Sequence, residues 1–261
     1  MTGGVTLNAG TLNIADAQAL GTVAGTFAIT GGTFDNTTGG ALSTLNYPQT
    51  WNGNFTFTGT DNLDLGTGAV TIGGASQITT STAGKTLTVD GIISGGFLLT
   101  KAGAGTLTLG GNNTMTGGVT LSAGVLQIEH ANALGAVAGT LTLAGGTIDN
   151  TSGGALNTPN YPQTWSGDFT FTGTDDLDLG TGAVTMSAAR QVTASASNLT
   201  VGGVISGGFS LTKLGGGTLT LEGTNTFTGG VTLSAGTLNI EAAQALGTSA
   251  GTFTIADGTT I

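Results

Sequence analysis

Residues 96–128, GFLLTKAGAGTLTLGGNNTMTGGVTLSAGVLQI, return without a gap at 208–240 as GFSLTKLGGGTLTLEGTNTFTGGVTLSAGTLNI. The last third of the same passage already opens the chain as TGGVTLNAGTLNI. A recurrence this close requires an array of equivalent units, each supported by its neighbours. The long period is marked by TGGVTL at Thr2, Thr116 and Thr228, with spacings of 114 and 112 residues. It predicts repeat units over 2–115 and 116–227 and a partial unit over 228–261, joined as one continuous solenoid. The first two units agree at roughly two-thirds of positions, with one two-residue deletion, where QITTSTAGKTLTV at 77–89 becomes QVTASASNLTV at 191–201. A corner absorbs such a deletion, whereas inside a strand a one-residue slip reverses every face.

Within the repeat, Leu107 and Leu109 flank Thr108, Val119 and Leu121 flank Thr120, and Leu126 and Ile128 flank Gln127, with glycines bounding each run. This is the pattern of short strands with one apolar face. Strand-starting segments fall at Val5, Thr26, Asn54, Gln77, Phe97 and Val119, at intervals of 21, 28, 23, 20 and 22 residues. Five rungs of this length per unit predict an all-β parallel β-helix of about 12 rungs. The 28-residue rung is expected to bulge outward. The segment from Asp16 to Gly21, repeated from His130 and from Ala242, reads as a short helical turn with Leu20, Leu134 and Leu246 tucked inward.

Composition closes several alternatives. With 50 Gly, 3 Pro and only 7% charged residues, the chain lacks the high charge and low hydrophobicity of disorder. A net charge of −10, with only Lys85, Lys101, Arg190 and Lys213 basic, argues against nucleic acid and anionic membranes as partners. The chain has no Cys, so disulfides and thiolate metal sites are excluded. No apolar run approaches the ~20 residues of a membrane span, so direct membrane insertion is not expected. Met1-Thr2-Gly3-Gly4 does not read as a signal peptide. The chain starts on a repeat boundary and stops partway through a repeat, so it reads as an excerpt.

Residues 99–128 and 211–240 closely resemble the autotransporter-associated β-strand repeat, also called the passenger-associated transport repeat. Its pattern runs L-x-K-x-G-x-G-T-L-x-L-x-G-x-N-x-[aromatic]-[ST]-G-x-[ST]-x-[VI]-x-x-G-x-L. Met115 departs from the aromatic position and Phe227 restores it, and 3–14 match in part. The resemblance implies a right-handed parallel β-helix in a large secreted or surface-displayed bacterial protein. It implies no particular activity.

The candidate sites are few. Asp61 with Asp64, and Asp175 with Asp176 and Asp178, are the acidic clusters. In Leu63-Asp64-Leu65 and Leu177-Asp178-Leu179 the leucines face in and the aspartates out. Calcium needs six to eight oxygens, and the G-G-x-G-x-D signature of calcium β-rolls is absent, so these read first as solvated corners and second as a weak calcium site. No other cofactor and no catalytic residue is expected. His130 stands where the other units have Asp16 and Ala242, as a surface substitution. Asp35-Asn36 and Asp149-Asn150 suit turns. Tyr47 with Trp51, and Tyr161 with Trp165, either stack on a ligand from a projecting loop or cover that loop against the core, with Pro48 and Pro162 as stiffeners. Thr86 and Thr88 precede Thr106 and Thr108 on the next rung, but Val125 and Gln127 interrupt the array that ice binding needs. The chain therefore reads as a non-catalytic structural and adhesive segment, extracellular or on the cell surface. It is expected to stack end to end with its own or neighbouring repeats and to offer a surface to a glycan or host ligand. The alternative is a carbohydrate-binding or carbohydrate-cleaving β-helix.

Overall fold

A run such as Thr-Leu-Thr-Leu between two glycines is too short to build a core alone. It buries its apolar side by lying in register on a similar run from the next circuit of the chain. The computed structural model describes residues 3–256 and has this arrangement, with strands of two to five residues, parallel pairing and no helix among the described residues. Residues 1–2, and 257–261 of the third repeat, lie outside that range. The chain divides into two compact units, residues 1–139 and 140–261.

In the first unit the chain winds through three sheets. The first holds Val5–Leu7, Phe27–Ile29, Gln49–Trp51, Val70–Ile72 and Ile93–Ser94. The second holds Thr11–Ile14, Thr33–Asn36, Phe55–Phe57, Ser76–Thr80, Leu99–Ala102 and Val119–Leu121. The third holds Leu42–Ser43, Leu63–Asp64, Thr86–Val89, Thr106–Leu109 and Val125–Ile128. The second unit also has three sheets, which begin at Leu141–Leu143, Thr147–Asn150 and Leu156–Asn157. Each unit is a parallel β-solenoid.

Stacking fixes the register. Val5, Phe27, Gln49, Val70 and Ile93 lie over one another, so these coils take 22, 22, 21 and 23 residues. Leu42, Leu63, Leu87, Leu107 and Leu126 form the inward column of the third sheet. Aromatic rings fill the early coils, with Phe34 5.6–5.9 Å from Phe27, Phe55 and Phe57.

Three expectations are corrected. The 28-residue interval is not a longer coil. Thr26 leads into the first sheet and Asn54 into the second, so the interval counted a coil and part of another, and no bulge is required. Nor do five rungs fill a repeat exactly to its end. Val5–Leu7 and Val119–Leu121 share the sequence VTL, yet they lie in the first and second sheets. Their companions Thr11–Ile14 and Val125–Ile128 lie in the second and third. Within the second unit, Leu141–Leu143 and its counterpart Phe253–Ile255 likewise fall in different sheets. Each repeat thus runs five coils and one further side. Finally, the Asp16 segment is a pair of tight turns rather than helix, closed by Ala19 N–H to Asp16 O and Gly21 N–H to Gln18 O. Leu20 and Leu134 are buried as expected, while Leu246 is half-buried.

Candidate functional site

The aromatic residues sit inside. On the three-residue strand Gln49–Trp51 the first and third side chains face inward and Thr50 faces out. Trp51 and Trp165 are 0% exposed and Tyr47 and Tyr161 1%, which corrects the expectation of a projecting, ligand-stacking loop. The physical reason is that their polar ends are satisfied within. Trp51 Nε1 donates to Gln49 Oε1 at 3.2 Å, and Trp165 Nε1 to Gln163 Oε1 at 3.2 Å. The Tyr47 hydroxyl donates to Gly21 O at 2.8 Å on the preceding coil. Trp51 meets Phe55 edge-on at 5.4 Å, and Trp165 meets Phe169 at 5.2 Å. Burial, and next the Asp16 charge, raises the Tyr47 hydroxyl above its ordinary range; burial alone raises Tyr161.

The acidic residues are spread over corners and strand ends. Asp61 pairs with Lys85 at 3.3 Å. Asp64 and Asp178 accept the amides of Gly66 and Gly180 two residues on, at 2.6 and 2.7 Å. Asp175 accepts Gly153 N–H at 3.0 Å, and Asp176 accepts Asn198 N–H from the next coil at 2.7 Å. Leu63, Leu65, Leu177 and Leu179 are buried, as the alternation requires. Among the described residues no three His, Cys, Asp or Glu side chains converge as a metal-binding group.

Outward from the third sheet of the first unit, Ser43, Asp64, Thr88, Thr108 and Gln127 lie in line, one per coil. They border a groove of about 320 Å³. Burial, then the charges of Asp64 and Glu129, raises the Asp90 carboxyl above its usual range. In the second unit Glu222 is raised by burial, Asp178 and Glu241. The Thr array breaks where expected, since Thr106 pairs with Val125 and Thr108 with Gln127. His130 has a structural job that its isolation concealed. Its Nδ1 accepts Asn132 N–H at 3.0 Å, as Asp16 Oδ1 accepts Gln18 N–H at 2.7 Å. Asp35 and Asp149 bind the amide and hydroxyl of Thr60 and Thr174 on the following coil.

Two pairs of residues escaped the sequence reading. Asn113 is buried where the coil carries no first-sheet strand. Its Oδ1 accepts Ile93 N–H at 2.7 Å and its Nδ2 donates to Ala133 O at 2.6 Å, so one side chain bridges the coils on both sides. Asn225 does the same between Ile205 and Ala245. Lys101 and Lys213 are the other pair, both wholly buried. The signal for both pairs was a residue kept at the same place in two repeats, Asn113 with Asn225 and Lys101 with Lys213.

A model of the passenger-associated transport repeat matches residues 1–14, 99–128 and 211–240. Over 192 residues the chain is 33% identical to the adhesin BmaC autotransporter of Brucella suis, an alignment covering 70% of this chain and 5% of the adhesin. The chain therefore spans a small fraction of that relative's length. No solved structure matches it. The matched passages are those in which Asn113, Asn225, Lys101 and Lys213 are spent on holding coils together. The chain thus carries passenger-associated transport repeats, and each of its two units is wound as a parallel β-solenoid.

Proposed function

We propose that the chain is a non-catalytic structural and adhesive segment of an extracellular or cell-surface β-helical stalk. Coils stacked on coils provide length and protease resistance, and the segment continues by stacking on its own or neighbouring repeats. The observation that carries this reading is the fate of the polar side chains. Asp35, Asp149, Asn113 and Asn225 are buried and bonded to a neighbouring coil, so they serve stacking and are not presented to a substrate. The naming of the Brucella suis relative as an adhesin supports the adhesive part.

The groove bordered by Asp64, Thr88, Thr108 and Gln127 is the surface on which an extended glycan would lie. The test pairs two assays on the intact chain. A reducing-end assay on acidic and neutral polysaccharides is expected to show no turnover, and a glycan array is expected to show binding that Thr88→Ala with Gln127→Ala weakens about tenfold, or by ~1.4 kcal/mol. Turnover that disappears in Asp64→Ala or Asp178→Ala would instead establish a carbohydrate-cleaving enzyme.

A further inference from the structure

Lys101 occupies an inward column of the second sheet in the first unit, between Ile78 and Leu121 and two coils beyond Phe55. Lys213 stands between Val192 and Leu233 in the second unit. An ammonium in an apolar column is costly unless each of its protons finds an acceptor. Here all three do. Lys101 Nζ donates to Ala102 O at 2.9 Å and Gly103 O at 3.0 Å on its own coil, and to Ala123 O at 3.0 Å on the next. Lys213 Nζ donates to Leu214 O at 2.7 Å, Gly215 O at 2.8 Å and, from the next coil, Ala235 O at 3.2 Å.

Among the described residues, the acceptors in either cradle are backbone carbonyls. Lys85 pairs instead with Asp61, and Arg190 with Asp168. The strands on either side of Lys101, and the corners 102–105 and 122–124, carry no titratable residue. Beside Lys213 the one such residue is Arg190, whose guanidinium is directed to Asp168 at 3.6 Å. Gly124, at φ +70°, leaves the room, since a Cβ there would lie 2.7 Å from Lys101 Nζ.

We infer that Lys101 and Lys213 are coil-to-coil latches, each closing its own coil only when the following coil docks and supplies the third carbonyl. Until residues 119–128 lie on 99–109, the third Lys101 proton has only water as its acceptor, and the coil carrying it stays open to keep that water. The same holds for 231–240 on 211–221. The latches couple coils in ordered pairs, a property that apolar stacking alone does not impose.

Native-state hydrogen exchange at neutral pH on the intact chain tests this, with Lys101→Met and Lys213→Met made separately. In the unsubstituted protein, the amides of Ser122 and Val125, which bond back to the Lys101 coil, are expected to exchange at the same rate as those of Gly105 and Thr106, which bond to the coil before. In Lys101→Met, Ser122 and Val125 are expected to exchange at least about tenfold faster than Gly105 and Thr106, while the pairs around Lys213 stay unchanged. Rates already different in the unsubstituted protein, or still equal in Lys101→Met, would overturn the inference. Amine acetylation followed by mass spectrometry needs no variant. Lys101 is expected to label at the opening rate of residues 119–128, and labelling as fast as Lys85 would equally overturn it.

Discussion

Asn113 shows how much one polar side chain does in this fold. Replacing it by alanine strands Ile93 N–H and Ala133 O, both paired at present, in a buried place. At about 1–3 kcal/mol per orphaned group, Asn113→Ala is expected to cost about 2–6 kcal/mol in urea unfolding. Asn112→Ala next to it removes only an exposed bond to Asn132 and should be nearly silent. The buried lysines make a pH prediction. Burial lowers both from 10.5 to about 8. The unfolded chain therefore holds more protons between those values, and stability climbs as pH rises through that window. Tyr47 and Tyr161 act in the opposite sense above about pH 10, since both are raised. Denaturant midpoints taken from pH 7.5 to about 9.5 should therefore rise, and the rise should shrink in Lys101→Met. At this scale, the burial of Leu63 and Leu65 around Asp64 was legible, because alternation dictates it. The burial of Tyr47 and Trp51 was left open, because alternation does not reveal that Gln49 and a backbone carbonyl would satisfy their polar ends.

The coil is the element, and its corners are as demanding as its strands. A Cβ on Gly91 would lie 1.9 Å from Gly68 O, and one on Gly68 would lie 2.0 Å from Tyr47 O. Backbones meet there with no space for a side chain. Gly91→Ala is expected to cost at least about 3 kcal/mol, whereas Gly40→Ala, which meets nothing within 4 Å, should fall within about 0.5 kcal/mol in the same unfolding assay. Strand identity and the glycine corners were legible because both follow from local pattern. Coil phase was not. Val5–Leu7 and Val119–Leu121 are identical in sequence and lie in different sheets, since the sheet a strand joins depends on every side counted before it. The 28-residue interval misled for the same reason, by joining starts that belong to different sheets.

For the whole molecule, stability is a nearest-neighbour property, with buried polar side chains bonded from coil to coil. Within each unit, a strand carried by the repeat joins the next sheet when the repeat returns. All of this depends on residues about one coil apart lying directly over one another. Cysteine cross-linking tests it without background, because the chain contains no Cys. Thr50 and Thr71 face outward in register on adjacent coils, and Ser94 lies one coil beyond Thr71. Neighbouring strands about 5 Å apart suit a disulfide, and a separation of about two coils is too long for one. Mild oxidation is expected to close Thr50→Cys with Thr71→Cys nearly completely and to leave Thr50→Cys with Ser94→Cys open. Failure of the first pair, or closure of the second in its place, would contradict the coil register.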